Sequence, residues 1–76
     1  MYEVGKCLLP QILRQKDFSQ QELAENIAVT RQQIHKYVTS DRVMTLEIAY
    51  NISKILDCSI EDLYEWKYVE ERRKRR

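Results

Sequence analysis

Four side chains that can donate hydrogen bonds stand close together along the chain: Arg31, Gln32, Gln33 and Lys36. Arginine and lysine can donate to the edge of guanine, and glutamine can bind the edge of adenine bidentately. On a helix, which turns about 100° per residue, Gln32 and Lys36 point almost directly away from Ile34. The run therefore predicts an outward face able to read base edges, although an ordinary solvated helix face has the same composition.

Two helix start signals position this run. Ser19 and Glu22 form an S-x-x-E capping box, and Thr30 and Gln33 repeat it as T-x-x-Q. Hydrophobic staples accompany the boxes, Phe18 with Leu23 and Val29 with Ile34. The separation of the boxes leaves room for about two helical turns and a tight corner at Ala28 and Val29. The spacing predicts a helix-turn-helix whose second helix carries the outward donors.

Further polar side chains near these helices are candidates for contacts to DNA phosphates, namely Thr30, Thr39, Ser40 and Arg42. Arg31, Lys36 and Arg42 form a basic cluster that only Asp41 opposes between positions 31 and 42. We interpret the single His35 as a surface or DNA-facing side chain rather than a ligand or catalytic base. Tyr37 is expected to pack beside Ile34, with its hydroxyl near the DNA backbone.

Length and charge predict one domain with a tail. The 76 residues suffice for a single small domain, predicted at 1–68, and residues 69–76 are predicted to form a basic and flexible tail. The formal net charge is +1, but the run RRKRR at positions 72–76 carries five positive charges, so the other 71 residues sum to −4. The tail either adds salt-dependent attraction to phosphates or has no specific role.

Several function classes lack their signatures in this sequence. Cys7 and Cys58 are too few for a disulfide scaffold and show no C-x-x-C spacing, so we expect neither a metal site nor a cofactor. We see no constellation of catalytic residues and predict no enzyme activity. No apolar run approaches the roughly 20 residues of a membrane span, and the N-terminus does not resemble a signal peptide. The protein is expected to be cytoplasmic and not membrane-bound.

The pattern along the whole chain predicts an all-α fold of five helices, because glycine and proline occur once each and apolar residues recur at helical spacing. The predicted ranges are a first helix within Val4–Lys16, then Gln20–Ile27, Arg31–Val38 and Leu46–Leu56, and a fifth helix capped by Ser59. Pro10 either begins the first helix or lies in its first turn. Inward faces are expected at Leu9, Ile12 and Leu13, at Ala49, Ile52 and Leu56, and at Ile60, Leu63 and Tyr64.

The segments SQQELAENIAVTRQQIHKY and LEIAYNISKILDCSIEDLY resemble the Cro and lambda-repressor-like family of Xre-type helix-turn-helix regulators of phages and bacteria. The resemblance extends from about Leu9 to Trp66. It implies a compact five-helix DNA-binding domain, with the helix-turn-helix at helices two and three. It also implies that Gln20, which opens helix two, acts as a phosphate clamp beside the donors of the helix N-terminus.

Two positions depart from the pattern of that family. Ala28 stands at the corner where the family usually has glycine, and a left-handed alanine would cost about 1 kcal/mol. Leu13 and Val38 stand where the family commonly has an internal Arg–Glu pair. Because both partners are apolar together, we expect the replacement to be neutral or stabilising and the two side chains to touch or share one core pocket.

The leading interpretation is a sequence-specific transcriptional regulator, of a phage or mobile-element repressor type, that binds double-stranded DNA. Such small domains usually bind as dimers, so a homodimer is expected, and the possible dimer surface comprises Tyr64, Trp66, Tyr68 and Val69. Trp66 is equally suited to capping the core. The alternative is an antitoxin-like or antirepressor module that uses the same fold to bind a protein partner.

Overall fold

The structure, a computed structural model, describes residues 1–70. Their elements are β1 (Tyr2–Cys7), α1 (Leu9–Gln15), α2 (Gln20–Asn26), α3 (Arg31–Val38), α4 (Leu46–Leu56), a single 3₁₀ turn (Ile60–Leu63) and β2 (Tyr64–Tyr68). Residues 71–76, which include the basic run at 72–76 and most of the tail predicted at 69–76, lie outside the described residues.

The prediction of an all-α, five-helix fold is wrong at both ends of the described chain. Four α-helices form, whereas the first residues and the residues after Leu63 form the two strands of an antiparallel sheet. Pro10 lies in the first turn of α1, so the helix begins at Leu9 and the upstream part of the range Val4–Lys16 belongs to β1. The remaining predicted helices agree with α2, α3 and α4 to within a residue.

The segment predicted as the fifth helix is short because strand residues follow it at once. Ser59 does start the turn, since its backbone N–H donates to Asp62 Oδ2 at 3.1 Å. However, large aromatic residues then alternate at Tyr64, Trp66 and Tyr68, which is the period of a strand rather than of a helix. The pairing of these residues with β1 replaces helical hydrogen bonds, and the turn ends at Leu63.

The sheet pairs the two ends of the described chain. Tyr2 lies opposite Tyr68 and Val4 lies opposite Trp66, and the ladder continues to Met1, whose carbonyl accepts from Val69 N–H at 2.7 Å. One extra residue in β1 between Val4 and Cys7 makes a β-bulge. Gly5 lies in this bulge, where a Cβ atom would stand only 3.0 Å from the Glu65 carbonyl oxygen. The close approach of the two backbones explains the glycine.

A single hydrophobic core joins the helices to the base of the sheet. Its buried side chains are Cys7, Leu9, Ile12, Leu13, Leu23, Ala24, Ile34, Tyr37, Met44, Ala49, Ile52, Leu56, Leu63 and Tyr64. Leu13 is buried in this core and Val38 packs against it, so the two belong to one cluster in place of a buried ion pair. Leu8 N–H donates to the Leu63 carbonyl at 2.8 Å and fixes α1 against the 3₁₀ turn.

Both cysteines are free thiols. Cys7 is buried and Cys58 is half-buried. Burial raises the pKa of each thiol, which keeps both protonated near neutral pH.

Candidate nucleic-acid interface

The first helix of the motif, α2, is held at its start by a complete capping box. Ser19 N–H donates to Glu22 Oε1 at 2.9 Å, and Glu22 N–H donates to Ser19 Oγ at 3.0 Å. The helix ends before Ala28, whose φ of 58° is left-handed, and Val29 N–H donates back to the Ala24 carbonyl at 3.1 Å. Ala28 therefore adopts the conformation that favours glycine, at a cost of about 1 kcal/mol.

The second helix, α3, begins with only half of the predicted capping box. Thr30 Oγ1 accepts from Gln33 N–H at 3.1 Å, as the spacing predicts. The Gln33 side chain, however, donates to the Tyr37 hydroxyl at 3.1 Å instead of returning to the Thr30 backbone. Gln33 is half-buried, so its amide braces Tyr37 from within the domain. Of the four predicted base readers, only Gln33 has its side chain hydrogen-bonded within the described residues 1–70.

The outward side of α3 is formed by Arg31, Gln32, His35 and Lys36, which we call the reading face. All four side chains are exposed and, with Asp41, they line one open groove. Ile34 is fully buried on the opposite side of the helix. Three of the four predicted base readers thus lie together on one accessible surface.

The donors of the reading face are not used inside the described chain. In residues 1–70, the side-chain hydrogen bonds of α3 and its C-cap come from Gln33 and Thr39. Arg31, Gln32 and Lys36 therefore have no side-chain hydrogen-bond partner among residues 1–70.

The predicted phosphate contacts lie around both ends of the motif. Gln20 is half-buried at the start of α2, and its Oε1 atom is buried without a hydrogen-bond partner among residues 1–70. Thr30 caps α3 through its oxygen and is exposed. Ser40 and Arg42 are exposed in the loop after α3, and Ser40 has a left-handed φ of 67°. Thr39 differs, because its hydroxyl donates to the His35 carbonyl at 3.1 Å and is occupied within the helix.

The loop between α3 and α4 is fixed by the side chain of Tyr64. Tyr64, predicted both to face inward with Ile60 and Leu63 and to belong to the possible dimer surface, is buried, and its hydroxyl accepts from Met44 N–H at 3.1 Å. Burial raises the pKa of this hydroxyl, so it remains neutral near physiological pH. Two residues 20 positions apart make this bond, and no local pattern in the sequence indicates it.

The other residues of the predicted dimer surface divide into two groups. Trp66 and Tyr68 are exposed on the sheet, whereas Val69 is half-buried and its backbone pairs with Met1. Sequence reasoning missed the strand opposite them, where Tyr2 and Val4 are exposed beside the same rings. Their alternation in YEVGKC was the available signal.

Among residues 1–70, no three histidine, cysteine, aspartate or glutamate side chains are grouped as a metal site. No helix in the same residues is both long and apolar enough to cross a membrane.

The comparisons with known proteins agree with this geometry. Residues 9–68 match the Cro/C1-type HTH DNA-binding domain. The chain is also 41% identical over 66 residues to the SPbeta prophage-derived uncharacterized HTH-type transcriptional regulator YopS of Bacillus subtilis (strain 168). That alignment covers 86% of this chain and 89% of the relative. Both α2 and α3 are capped at their N-termini, and α3 exposes its donors. The chain belongs to the Cro/C1-type helix-turn-helix DNA-binding family.

Proposed function

We propose that this protein is a sequence-specific transcriptional regulator, of a phage or prophage repressor type, that reads the major groove with α3. The reading face carries the proposal, because its donors are exposed and unused inside residues 1–70 while Ile34 anchors the other side of the helix. The similarity to a prophage-derived regulator supports it. The protein would act in the cytoplasm, where it meets double-stranded DNA.

The base contacts are assigned by side-chain chemistry. Gln32 suits a bidentate bond to adenine, and Arg31 or Lys36 suits the acceptors of guanine. Gln33 keeps its carbonyl oxygen and one N–H after its bond to Tyr37, so its part in base reading is secondary and its support of Tyr37 comes first.

The phosphate contacts fix the register of the domain on the duplex. We assign Arg42 and Ser40 to phosphates of one DNA strand near the C-terminal end of α3. Thr30 and Gln20 are assigned to phosphates near the N-terminal ends of α3 and α2. In Gln20 the group that can donate to a phosphate is the amide N–H₂, whereas its buried Oε1 atom is an acceptor and takes no part in that contact. We rank Thr39 last, since a phosphate would have to compete with the His35 carbonyl for its hydroxyl.

A homodimer is part of the proposal. One reading helix contacts only a few base pairs, and helix-turn-helix dimers place two such helices in half-sites about one DNA turn apart. The protein-interaction alternative, an antitoxin-like or antirepressor module, is not favoured, because the DNA-binding family and the prophage regulator account for the motif.

Salt-dependent binding to duplex DNA tests the proposal. We expect the wild-type protein to bind duplexes at low salt, and Arg42→Ala to weaken binding to all sequences and to reduce the salt slope by about one. Lys54→Ala on α4 removes the same charge from an exposed site outside the motif and should leave the slope unchanged. Absence of duplex binding at low salt, or an equal loss for Lys54→Ala, would refute the assigned interface.

A further inference from the structure

An acidic side chain stands among the donors of the reading face. Asp41 is exposed and lines the same open groove as Arg31, Gln32, His35 and Lys36. The hydrogen bonds around the C-terminal end of α3 leave its carboxylate oxygens unused within residues 1–70. The proposed function assigns the donors of this groove to DNA and leaves its acceptor without a role.

The backbone fixes Asp41 in this position. Ser40, with its left-handed φ of 67°, reverses the chain after α3, and its N–H donates to the Tyr37 carbonyl at 3.0 Å. Asp41 N–H donates to the Lys36 carbonyl at 2.9 Å. These two bonds form a Schellman motif, which closes the C-terminal end of the helix and brings the chain back beside the last helical turn. Asp41 is thereby held at the outward side of α3.

The stability of α3 does not call for an acid at position 41. The Schellman motif uses only the backbone of Asp41, and a negative charge near the C-terminal end of a helix interacts unfavourably with the helix dipole. A carboxylate at the outward side of α3 is also repelled by the phosphates of a bound duplex. Lys36 and Arg42 reduce this repulsion, but the DNA needs the same cations. The acid therefore lowers general affinity for DNA.

A carboxylate can distinguish bases because it accepts hydrogen bonds and donates none. In the major groove, cytosine and adenine present an exocyclic amino group, whereas guanine and thymine present a carbonyl oxygen at the corresponding place. A carboxylate pairs with the amino groups and is repelled by the oxygens. Arg31 and Lys36 carry only donors, and Gln32 carries both a donor and an acceptor. The acceptor therefore adds a choice between bases that the cations cannot make.

We propose that Asp41 is a specificity-determining residue, which accepts a hydrogen bond from the exocyclic amino group of a cytosine or an adenine near the C-terminal end of α3. The inference rests on the proposed function, because it requires α3 to lie in the major groove. At a site without that amino group, the carboxylate faces base oxygens and phosphates without a partner. Asp41 thus acts by rejecting wrong sites as well as by binding the right one.

Selection of bound duplexes by Asp41→Asn tests the inference. Asparagine has the shape of aspartate, but its amide carries no charge and can donate as well as accept. We expect the wild type to select cytosine or adenine at one position of each half-site. Asp41→Asn should admit guanine and thymine there, with a loss of about tenfold in discrimination, while the other positions persist. Single-base replacements in the selected duplex then separate cytosine from adenine as the partner.

Binding to an unrelated duplex supplies a second measurement. Because Asp41→Asn removes a charge that phosphates repel, it should bind a duplex without the motif several-fold more tightly than the wild type at low salt. Its affinity for the selected duplex should rise less, since the bond from the amino group to a charged acceptor is lost there. The ratio of the two affinities should therefore fall.

The matched control is Asp57→Asn. Asp57 is also exposed and follows a helix, α4, but it lies in a different groove, which residues of α1 line. Its φ of 55° suits asparagine as well as aspartate. The substitution removes the same charge and should leave the selected motif and the ratio of affinities unchanged. Circular dichroism should show the wild-type helix content in both variants.

Two outcomes would overturn the inference and leave the proposed function standing. In the first, Asp41→Asn selects the same bases as the wild type at every position, which would reduce Asp41 to a source of general repulsion. In the second, Asp57→Asn changes the motif in the same way. A wild type that binds duplex DNA without any sequence preference would refute the proposed function, and the inference with it.

Discussion

The helix-turn-helix and the terminal sheet are stabilised over very different distances along the chain. In α2 and α3, side-chain bonds such as Ser19 to Glu22 and Gln33 to Tyr37 join residues three or four positions apart. In the sheet, the bond between Met1 and Val69 spans 68 positions. The difference teaches that the helix-turn-helix of this protein is determined by local signals, whereas the sheet depends on the assembly of the whole domain.

The two regions also differ in what they offer to a partner. The reading face presents Arg31, Gln32 and Lys36, whose donors suit base edges and phosphates. The sheet presents aromatic rings and an open strand edge, which suit a protein surface. The two surfaces therefore differ in chemistry and lie on different elements of the fold, α3 and the sheet.

The largest predicted effect concerns Tyr64, which connects the two regions through its bond to Met44 N–H. Tyr64→Phe leaves that buried N–H without an acceptor, and we expect the free energy of unfolding to fall by about 1–3 kcal/mol. Urea denaturation followed by circular dichroism at the helices and by the fluorescence of the single Trp66 measures the change. The two signals should still coincide, because one core joins the helices and the sheet.

The matched control for this change is Tyr50→Phe. Tyr50 is exposed on α4, and its ring contacts the Lys54 ammonium group, so loss of its hydroxyl should alter stability by less than about 0.5 kcal/mol. Separate transitions for Trp66 and for the helices would show that the sheet is not part of the cooperative unit. Equal losses for the two tyrosines would contradict the role of the Met44 bond.

A smaller effect of opposite sign is expected within the helix-turn-helix. Ala28 is exposed at a φ of 58°, so Ala28→Gly relieves the strain of a left-handed alanine without removing core contacts. The free energy of unfolding should rise by up to about 1 kcal/mol in thermal or urea denaturation. The substitution Ala24→Gly, inside α2 and in the core, should instead lower stability. A destabilising Ala28→Gly would mean that the corner is not strained.

The contrast between local and distant bonds also explains what the sequence could predict. Helices α2, α3 and α4 follow from their caps at Ser19, Thr30 and Thr45, each of which accepts the expected bond from a backbone N–H three residues on. Local geometry likewise placed Arg31, Gln32 and Lys36 on one outward face. Ala28 was predicted at the corner between α2 and α3. Its left-handed backbone conformation is the one that the usual glycine would adopt there, so the turn is preserved.

The sheet was missed because its evidence is divided between the chain ends. The segment YEWKY follows a helix start signal at Ser59, and that signal alone suggests a longer helix. The segment forms a strand rather than a longer helix only because β1 places Tyr2 and Val4 opposite Tyr68 and Trp66. The redirection of Gln33 has a local cause, because its side-chain amide has two possible partners, the Thr30 backbone N–H as a donor and the Tyr37 hydroxyl as an acceptor, and in the structure it donates to the hydroxyl.

Selection of bound sequences from a random duplex library tests the central claim most directly, namely that α3 reads bases through its outward face. The wild type should select a defined motif in half-sites about one turn apart. With Gln32→Ala, the preference should relax at one position of each half-site, with a loss of about 1–3 kcal/mol of discrimination there, while the other positions persist. An unchanged motif for Gln32→Ala, or no sequence preference in the wild type, would contradict the account.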